Sequence, residues 1–417
     1  MTSGLLAIKS ARAVSAGYGP QGEPFGRLVP TEELVEDIAP KRPGKSPGAA
    51  VEDVASSFVR DKLGIHSVAT THHTDALTAQ TLAGGDAGSS RTVFNPDIDA
   101  MTTQALRLAV GDYLAFSERP EGGRGSLAGH IHLSWSSDDR QMFALAEARR
   151  EVGWHTPGLT SVHLLSGCAG MIEALNYVEY LLYHSAARDD EDAVVFVTAS
   201  NDLSAIAHTR GPCPAPGNED LDQWLFPAIF GEGAGAIVIG RPDPAGDEWV
   251  VQDWAIEPVT EDWRVTMPPE QDTPHMVIRA RGVGATYRTN VPLAAQRGLD
   301  ALSDGSGFGD LHRLCLHESN PRMLTAVATS LGAPEATVHS ISATVGTLAC
   351  VSVFTLLDEA LHSHRNTPGA PDGLVCALIG DVAGSVAAGH ITLRHQAAGE
   401  TSGGRPDRLS DVAGTRD

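Results

Sequence analysis

The sequence predicts an α/β fold assembled from two duplicated halves, and two kinds of pattern predict it. First, short apolar runs typical of buried strands alternate with segments whose apolar residues recur at helical spacing. Second, the run Val162-His163-Leu164-Leu165-Ser166-Gly167-Cys168-Ala169-Gly170 returns as Val338-His339-Ser340-Ile341-Ser342-Ala343-Thr344-Val345-Gly346. Downstream, Gly231-Glu232-Gly233-Ala234-Gly235 returns as Gly380-Asp381-Val382-Ala383-Gly384. Two matched pairs in the same order are what a duplicated unit leaves behind. A pseudo-twofold relation between the halves would bring the two strand-to-helix turns together at the centre of the molecule.

Taken along the chain, residues 102–116 and 142–152 carry helical periodicity, with a strand at 129–135 between them. An apolar strand from 162 stops at small residues. Met171, Ile172, Leu175, Val178, Leu181 and Leu182 then follow at helical spacing, so a helix starts at or just after Cys168. The runs 193–199 and 234–239 read as short buried strands. In the second half a strand ends at His317, a helix is expected over 347–362, and a closing strand over 389–394. Gly- and Pro-rich punctuation at 40–47, 84–90, 122–125 and 212–217 marks surface loops. The polar stretch from about 397 to 417 reads as a disordered tail. The expected division is therefore 1–240, 241–396 and 397–417.

With 417 residues, 42% of them hydrophobic, the chain can bury a large core. A formal charge of −22 repels phosphate backbones and anionic surfaces, so neither nucleic acid nor a membrane is the expected partner. No stretch has the ~20 apolar residues of a membrane span, and the first residues lack the pattern of a secretory leader. The five cysteines, Cys168, Cys213, Cys315, Cys350 and Cys376, are odd in number, widely spread and without metal-site spacing. A reducing cytoplasm is the expected compartment. Cys315, Cys350 and Cys376 sit in apolar runs and read as core, and the adjacent pair His72-His73 reads as solvated. Gly231 to Gly235 leads into a strand without a following lysine and reads as a tight turn, not a phosphate cradle.

Two residues carry the chemistry. Cys168 precedes a helix, where unpaired N–H groups and the positive dipole end favour thiolate over thiol. His317, in Leu314-Cys315-Leu316-His317-Glu318-Ser319-Asn320-Pro321-Arg322, stands where an apolar strand turns polar, the usual place for catalytic groups in α/β folds. A cysteine with a distant histidine is the minimal arrangement for covalent thioester chemistry.

Five motifs in order, Gly167-Cys168-Ala169-Gly170, Phe230-Gly231-Glu232-Gly233-Ala234-Gly235-Ala236, His317-Glu318-Ser319-Asn320, Leu357-Asp358-Glu359-Ala360 and the closing strand after Gly384, resemble a ketoacyl synthase III of the thiolase superfamily. The resemblance implies a five-layered αβαβα fold from two similar halves, and a homodimer. It implies Cys168 as nucleophile, His317 as base, and the backbone N–H groups of Cys168 and Gly384 as oxyanion hole. Asn320 and Arg322 match residues lining the pantetheine channel and the carrier-protein entrance. It implies no cofactor beyond the acyl donor, carried on the phosphopantetheine of an acyl carrier protein or as acyl-CoA.

Two departures matter. Counting back from Leu357 places Gly346-Thr347-Leu348-Ala349 on the family's Gly-Asn-Thr-Ser motif, so Thr347 replaces the asparagine that helps hold charge during decarboxylative condensation. Losing one such donor costs ~10²–10³ in rate. Near the N-terminus, Phe58 and Lys62 occupy the places of a tryptophan and an arginine that clasp the CoA nucleotide; lysine keeps the charge but loses bidentate geometry. The chain thus resembles most the acyltransferase branch of antibiotic biosynthesis. There the acyl-cysteine passes its acyl group to a hydroxyl or amine of a small-molecule acceptor. A decarboxylating 3-oxoacyl synthase and a non-catalytic partner subunit are the alternatives. The Cys168-to-His317 spacing also fits a papain-like hydrolase, but the flanking signature is missing, and an α/β-hydrolase elbow would need glycine where Ser166 stands.

Overall fold

Runs of Val, Ile, Ala and Gly without charge, such as Val194–Asn201 and Gly233–Gly240, are buried along their whole length in the computed structural model. A sheet covered on both faces demands that. The structure describes residues 6–38, 56–71, 96–116, 125–134, 139–154, 158–164, 167–184, 186–201, 228–243, 246, 248–260, 265–266, 277–278, 280–302, 304–317, 320–365, 373–381 and 386–397. Gly384, His72, His73, Cys213, the expected loops at 40–47, 84–90 and 212–217, and the tail from 398 lie outside them.

The strands are β1 (Leu6–Ser15), β2 (Arg27–Pro30), β3 (Ser67–Thr70), β4 (Leu127–Ser134), β5 (Ser161–Leu164), β6 (Val194–Asn201) and β7 (Gly233–Gly240). They continue with β8 (Glu248–Thr260), β9 (Val265–Thr266), β10 (Val277–Ile278), β11 (Arg313–Leu316), β12 (Val338–His339), β13 (Leu374–Asp381) and β14 (Val386–Gln396). The helices are α1 (Gly19–Gly22), α2 (Thr31–Ile38), α3 (Pro96–Phe116), α4 (Asp139–Glu151), α5 (Gly170–Tyr183), α6 (Ala280–Asp300), α7 (Pro321–Leu331), α8 (Ser342–Val345) and α9 (Ser352–Arg365).

Ten strands form one sheet in the order β12-β11-β13-β14-β8-β1-β7-β6-β4-β5. Followed inward from its two ends, the list repeats itself. In the first half β4 is parallel to β5 and β6, and β7 is antiparallel to β6 and β1. In the second half β11 is parallel to β12 and β13, and β14 is antiparallel to β13 and β8. The halves join where Leu6, Ala7 and Ile8 of β1 pair antiparallel with Val251, Val250 and Trp249 of β8.

Helices α3 and α4 pack together, with α3 on β1 and β7; α6 and α7 do the same in the second half, with α6 on β13 and β14. Between the two five-stranded blocks lie α5 and α9, and each touches strands of both: α5 meets β4, β6, β8 and β14, and α9 meets β1, β7, β11 and β13. The result is the five-layered αβαβα architecture. One contact repeats with the fold. A Cβ on Gly389 of β14 would fall 2.3 Å from Ile172 Cδ1, and a Cβ on Gly235 of β7 would fall 2.4 Å from Phe354 Cβ. Ile172 and Phe354 are each the third residue of their helix. Only glycine leaves room for such an approach.

The expected helix over 347–362 begins only at Ser352. Gly346 at φ 77° and Ala349 at φ 47° break the helical path, and Thr347 is instead extended in a parallel bridge with Phe230. The second half therefore has the longer connection between strand and central helix. The strand echo of Val162 at Val338 holds, but the residue two before α9, as Cys168 is two before α5, is Cys350 and not Thr344. Among the described residues no helix is long and apolar enough to cross a membrane, and no cluster of three or more His, Cys, Asp or Glu could hold a metal.

Candidate active site

Cys168 lies in the tight connection from β5 to α5 and is 6% exposed. The Gly170 N–H donates to the Gly167 carbonyl at 3.1 Å, closing a turn around Cys168 and Ala169, and the N–H groups of Ile172 and Glu173 both converge on the Ala169 carbonyl. Met171, Ile172, Ala174, Leu175, Val178, Leu181 and Leu182 are buried, so α5 is clamped between the sheets and its first turn is fixed. That places the thiol at the positive end of a helix inside the protein.

His317 follows the last residue of β11, a strand hydrogen-bonded on both sides, and is 3% exposed. Tyr287, from the middle of α6 and 1% exposed, reaches it twice. Its hydroxyl donates to the His317 carbonyl oxygen at 3.0 Å and lies 2.8 Å from His317 Nδ1. Burial pushes the imidazole down to about 4, against the upward pull of backbone contacts with Ala349 and with its own carbonyl. His317 Nε2 is buried and has no protein partner.

The contact with Ala349 ties His317 to the Thr347 loop. Thr347 is 3% exposed, its N–H donates to the Ile229 carbonyl at 2.8 Å, and its carbonyl accepts from Gly231 N at 3.1 Å. Gly231 is in turn held by Asn201, whose Nδ2 donates to its carbonyl at 2.6 Å. Glu232, 3% exposed, accepts the Thr71 N–H at 2.7 Å, so this stretch connects loops and is not the expected tight turn. Ala349 is the one non-glycine residue with positive φ among the described residues, and strain of that kind gathers at working sites. Cys350 donates its thiol proton to the Ser200 carbonyl at 3.3 Å. Cys168, Val345, Leu348 and Cys350 belong to one contiguous buried cluster.

A family model described as 3-oxoacyl-[acyl-carrier-protein (ACP)] synthase III C terminal matches residues 303–389, which hold His317 and Thr347. Over its length the fold superposes on 3-oxoacyl-(acyl carrier protein) synthase III from Pseudomonas aeruginosa PAO1, with TM-score 0.63, 16% identity, and 94% and 99% of the two chains covered. Over residues 303–389 the chain is thus similar to the C-terminal part of a 3-oxoacyl-[acyl-carrier-protein] synthase III, and its fold as a whole is the one those synthases share. OleA from Xanthomonas campestris bound to cerulenin has the same fold, with TM-score 0.65, 15% identity, and 94% and 98% covered. Among curated relatives, β-ketoacyl-[acyl-carrier-protein] synthase III 2 of Streptomyces coelicolor is 28% identical over 39% of this chain and 47% of its own length. The synthase III of Streptomyces lividans is 26% identical over 55% of this chain and 63% of its own. The matched stretches span less than two thirds of these curated relatives.

The remaining expected residues meet at one rim. The π-helical turn Phe58–Leu63 packs against the start of α7, where a Cβ on Gly64 would lie 3.4 Å from Pro321 Cβ and 3.5 Å from Arg322 Cγ. Phe58 is half-buried on the small apolar cluster around Val59, Ile65 and Ile229. Lys62 and Arg322 are both exposed. Asn320 is 7% exposed and caps α7, its Oδ1 accepting the Met323 N–H at 2.9 Å, so that oxygen is committed to the helix. The sequence shows Asn320-Pro321 as a capping signature, but nothing in it relates Tyr287 or Ala349 to His317.

Proposed function

We propose that the protein is an acyltransferase of ketoacyl synthase III type. It would move an acyl group, aromatic or polyketide in character, from a carrier-protein or CoA thioester to a hydroxyl or amine of a small-molecule acceptor in secondary metabolism. The observation that carries this reading is Thr347, buried and bonded through its backbone on both sides, in the loop whose Ala349 backbone meets His317. Decarboxylating a malonyl thioester builds full negative charge on the carbonyl oxygen. A short hydroxyl where the resemblance expects a carboxamide weakens that support by ~10²–10³ in rate. Acylation and transfer need only a nucleophile, a base and an oxyanion hole.

In the first step Cys168 Sγ attacks the donor thioester carbon; its proton passes through His317 Nε2 to the departing pantetheine sulfur, leaving the acyl group on Sγ. In the second, the acceptor oxygen or nitrogen attacks the acyl carbon while Nε2 takes its proton, the C–S bond breaks, and the proton returns to Sγ. The backbone N–H groups of Cys168 and Gly384 are the proposed oxyanion hole, and Phe58, Lys62, Asn320 and Arg322 the proposed pantetheine and phosphate rim. Lysine at that rim is a point charge that favours a carrier-protein donor over free CoA. We place the enzyme in the cytoplasm as a homodimer.

Exposure to a panel of acyl carrier-protein thioesters should raise the intact mass by one acyl group, with no gain in Cys168→Ala, and added alcohols or amines should discharge it. Rapid carbon dioxide release with malonyl carrier protein would overturn this reading in favour of a decarboxylating synthase. No adduct from any thioester would leave a non-catalytic partner subunit.

A further inference from the structure

The pair Tyr287 and His317 fixes which imidazole nitrogen carries the proton. Tyr287 has one hydroxyl proton, and its oxygen lies 3.0 Å from the His317 carbonyl oxygen and 2.8 Å from Nδ1. A carbonyl oxygen only accepts, so the proton between the two oxygens must come from tyrosine. Nδ1 then has to supply its own proton and donate to the tyrosine oxygen. In the opposite arrangement, with tyrosine donating to Nδ1, two buried oxygens would face each other at 3.0 Å with no hydrogen between them. Leaving such a buried acceptor unmet costs ~1–3 kcal/mol.

We infer that Tyr287 is a positioning residue that holds His317 in the Nδ1–H tautomer, so that Nε2 presents a lone pair to the substrate. The unpartnered, buried Nε2 is the second observation for this assignment. An N–H orphaned inside a protein is rarer than an under-satisfied acceptor, and a bare lone pair finds its partner when an alcohol, amine or thiol arrives. The consequence for chemistry is selective. A lone pair withdraws a proton from an attacking O–H or N–H, but it repels the oxyanion that forms when a malonyl thioester decarboxylates. With Thr347 nearby, neither side chain then supplies the N–H donor that carbon–carbon condensation uses. The use of the lone pair rests on the acyl-transfer reading; the tautomer itself does not.

The test is ¹⁵N NMR of the protein labelled at histidine, with the His317 resonances assigned by their loss in His317→Gln. The expected spectrum has a protonated Nδ1 and a bare Nε2, moving toward an Nε2–H mixture in Tyr287→Phe. In single turnovers from acyl-Cys168, Tyr287→Phe should transfer to an alcohol or amine ~10–10²-fold more slowly, the scale of a mispositioned base. A wild-type spectrum with Nε2 protonated overturns the inference, as does an unchanged tautomer in Tyr287→Phe. If the tautomer is as expected but no thioester ever acylates Cys168, the proposed function fails and the role of Tyr287 stands.

Discussion

His317 is a buried neutral imidazole, and burial explains the low acidity range in which it titrates, about 4. Transfer that needs its lone pair should be flat from neutral pH down to about 5 and reach half its plateau near 4. A stopped-flow pH profile checks this, and a fall setting in near 6.5 would mean a solvated imidazole. Thr347→Asn should restore an amide donor and raise carbon dioxide release from malonyl carrier protein by ~10²–10³-fold. An unchanged rate would show that the extended backbone at Thr347 points its side chain elsewhere. Cys168 and His317 were legible from local pattern, because each stands where an apolar strand gives way to small or polar residues. Tyr287 was not, since it stands 30 residues away in the chain and reaches His317 only through tertiary packing.

Between the sheet and α4, a row of polar side chains occupies a face where apolar residues would be usual. The Arg149 guanidinium can only donate, so it donates to His130 Nδ1 at 2.8 Å, and His130 Nε2–H donates to Thr198 Oγ1 at 2.9 Å. The Thr198 hydroxyl proton then goes to His132 Nδ1 at 2.9 Å, and His132 Nε2–H to Ser200 Oγ at 3.3 Å. One cation at the end sets every direction in the chain. Burial first, then the charge of Arg149 and the neighbouring His132, hold His130 well below 6.5, so it stays neutral. Arg149→Met should therefore cost ~1–3 kcal/mol in urea unfolding, because His130 Nδ1 loses its donor inside the protein. The acyl adduct on Cys168 should still form. At this scale the strands and helices read at 102–116, 129–135, 142–152, 193–199 and 234–239 lie within a few residues of the observed α3, β4, α4, β6 and β7, whereas β1, β8, β13, α6 and α7 were not read. The start of α9 was missed, because helical periodicity continues through Thr347 while the positive φ of Gly346 and Ala349 is invisible in composition.

Across the molecule, β1, α3 and α9 are joined by charge. Arg12 Nε donates to Asp112 at 2.7 Å, and His362 lies 3.5 Å from Asp112 and 2.8 Å from Asp358. Asp112, then Asp358, raise His362 to about 9. A folded value above the usual 6.5 means the native state binds this proton more tightly. The stabilisation is full below about 6.5 and is lost as pH rises through about 9. The melting midpoint should drop between pH 7 and 10, and His362→Gln should remove that part of the drop. The duplication was legible because both strand-to-helix turns kept their small residues. The unequal connections that set Cys350 opposite Cys168 were not, since length differences hide in loops.

The seating of Ile172 on Gly389 and of Phe354 on Gly235 makes each half supply the lining of the other. A backbone cut between β7 and β8 would leave two polypeptides, each with a bare glycine track and a helix lacking its second wall. Expressed singly, both should be insoluble. Expressed together with a tag on one, they should co-purify as a reassembled pair, because the joint is made of fitted surfaces and three paired residues of β1 and β8, not of the covalent link. Gly235→Leu should abolish that reassembly even though the substituted residue lies on one fragment and its obstacle on the other.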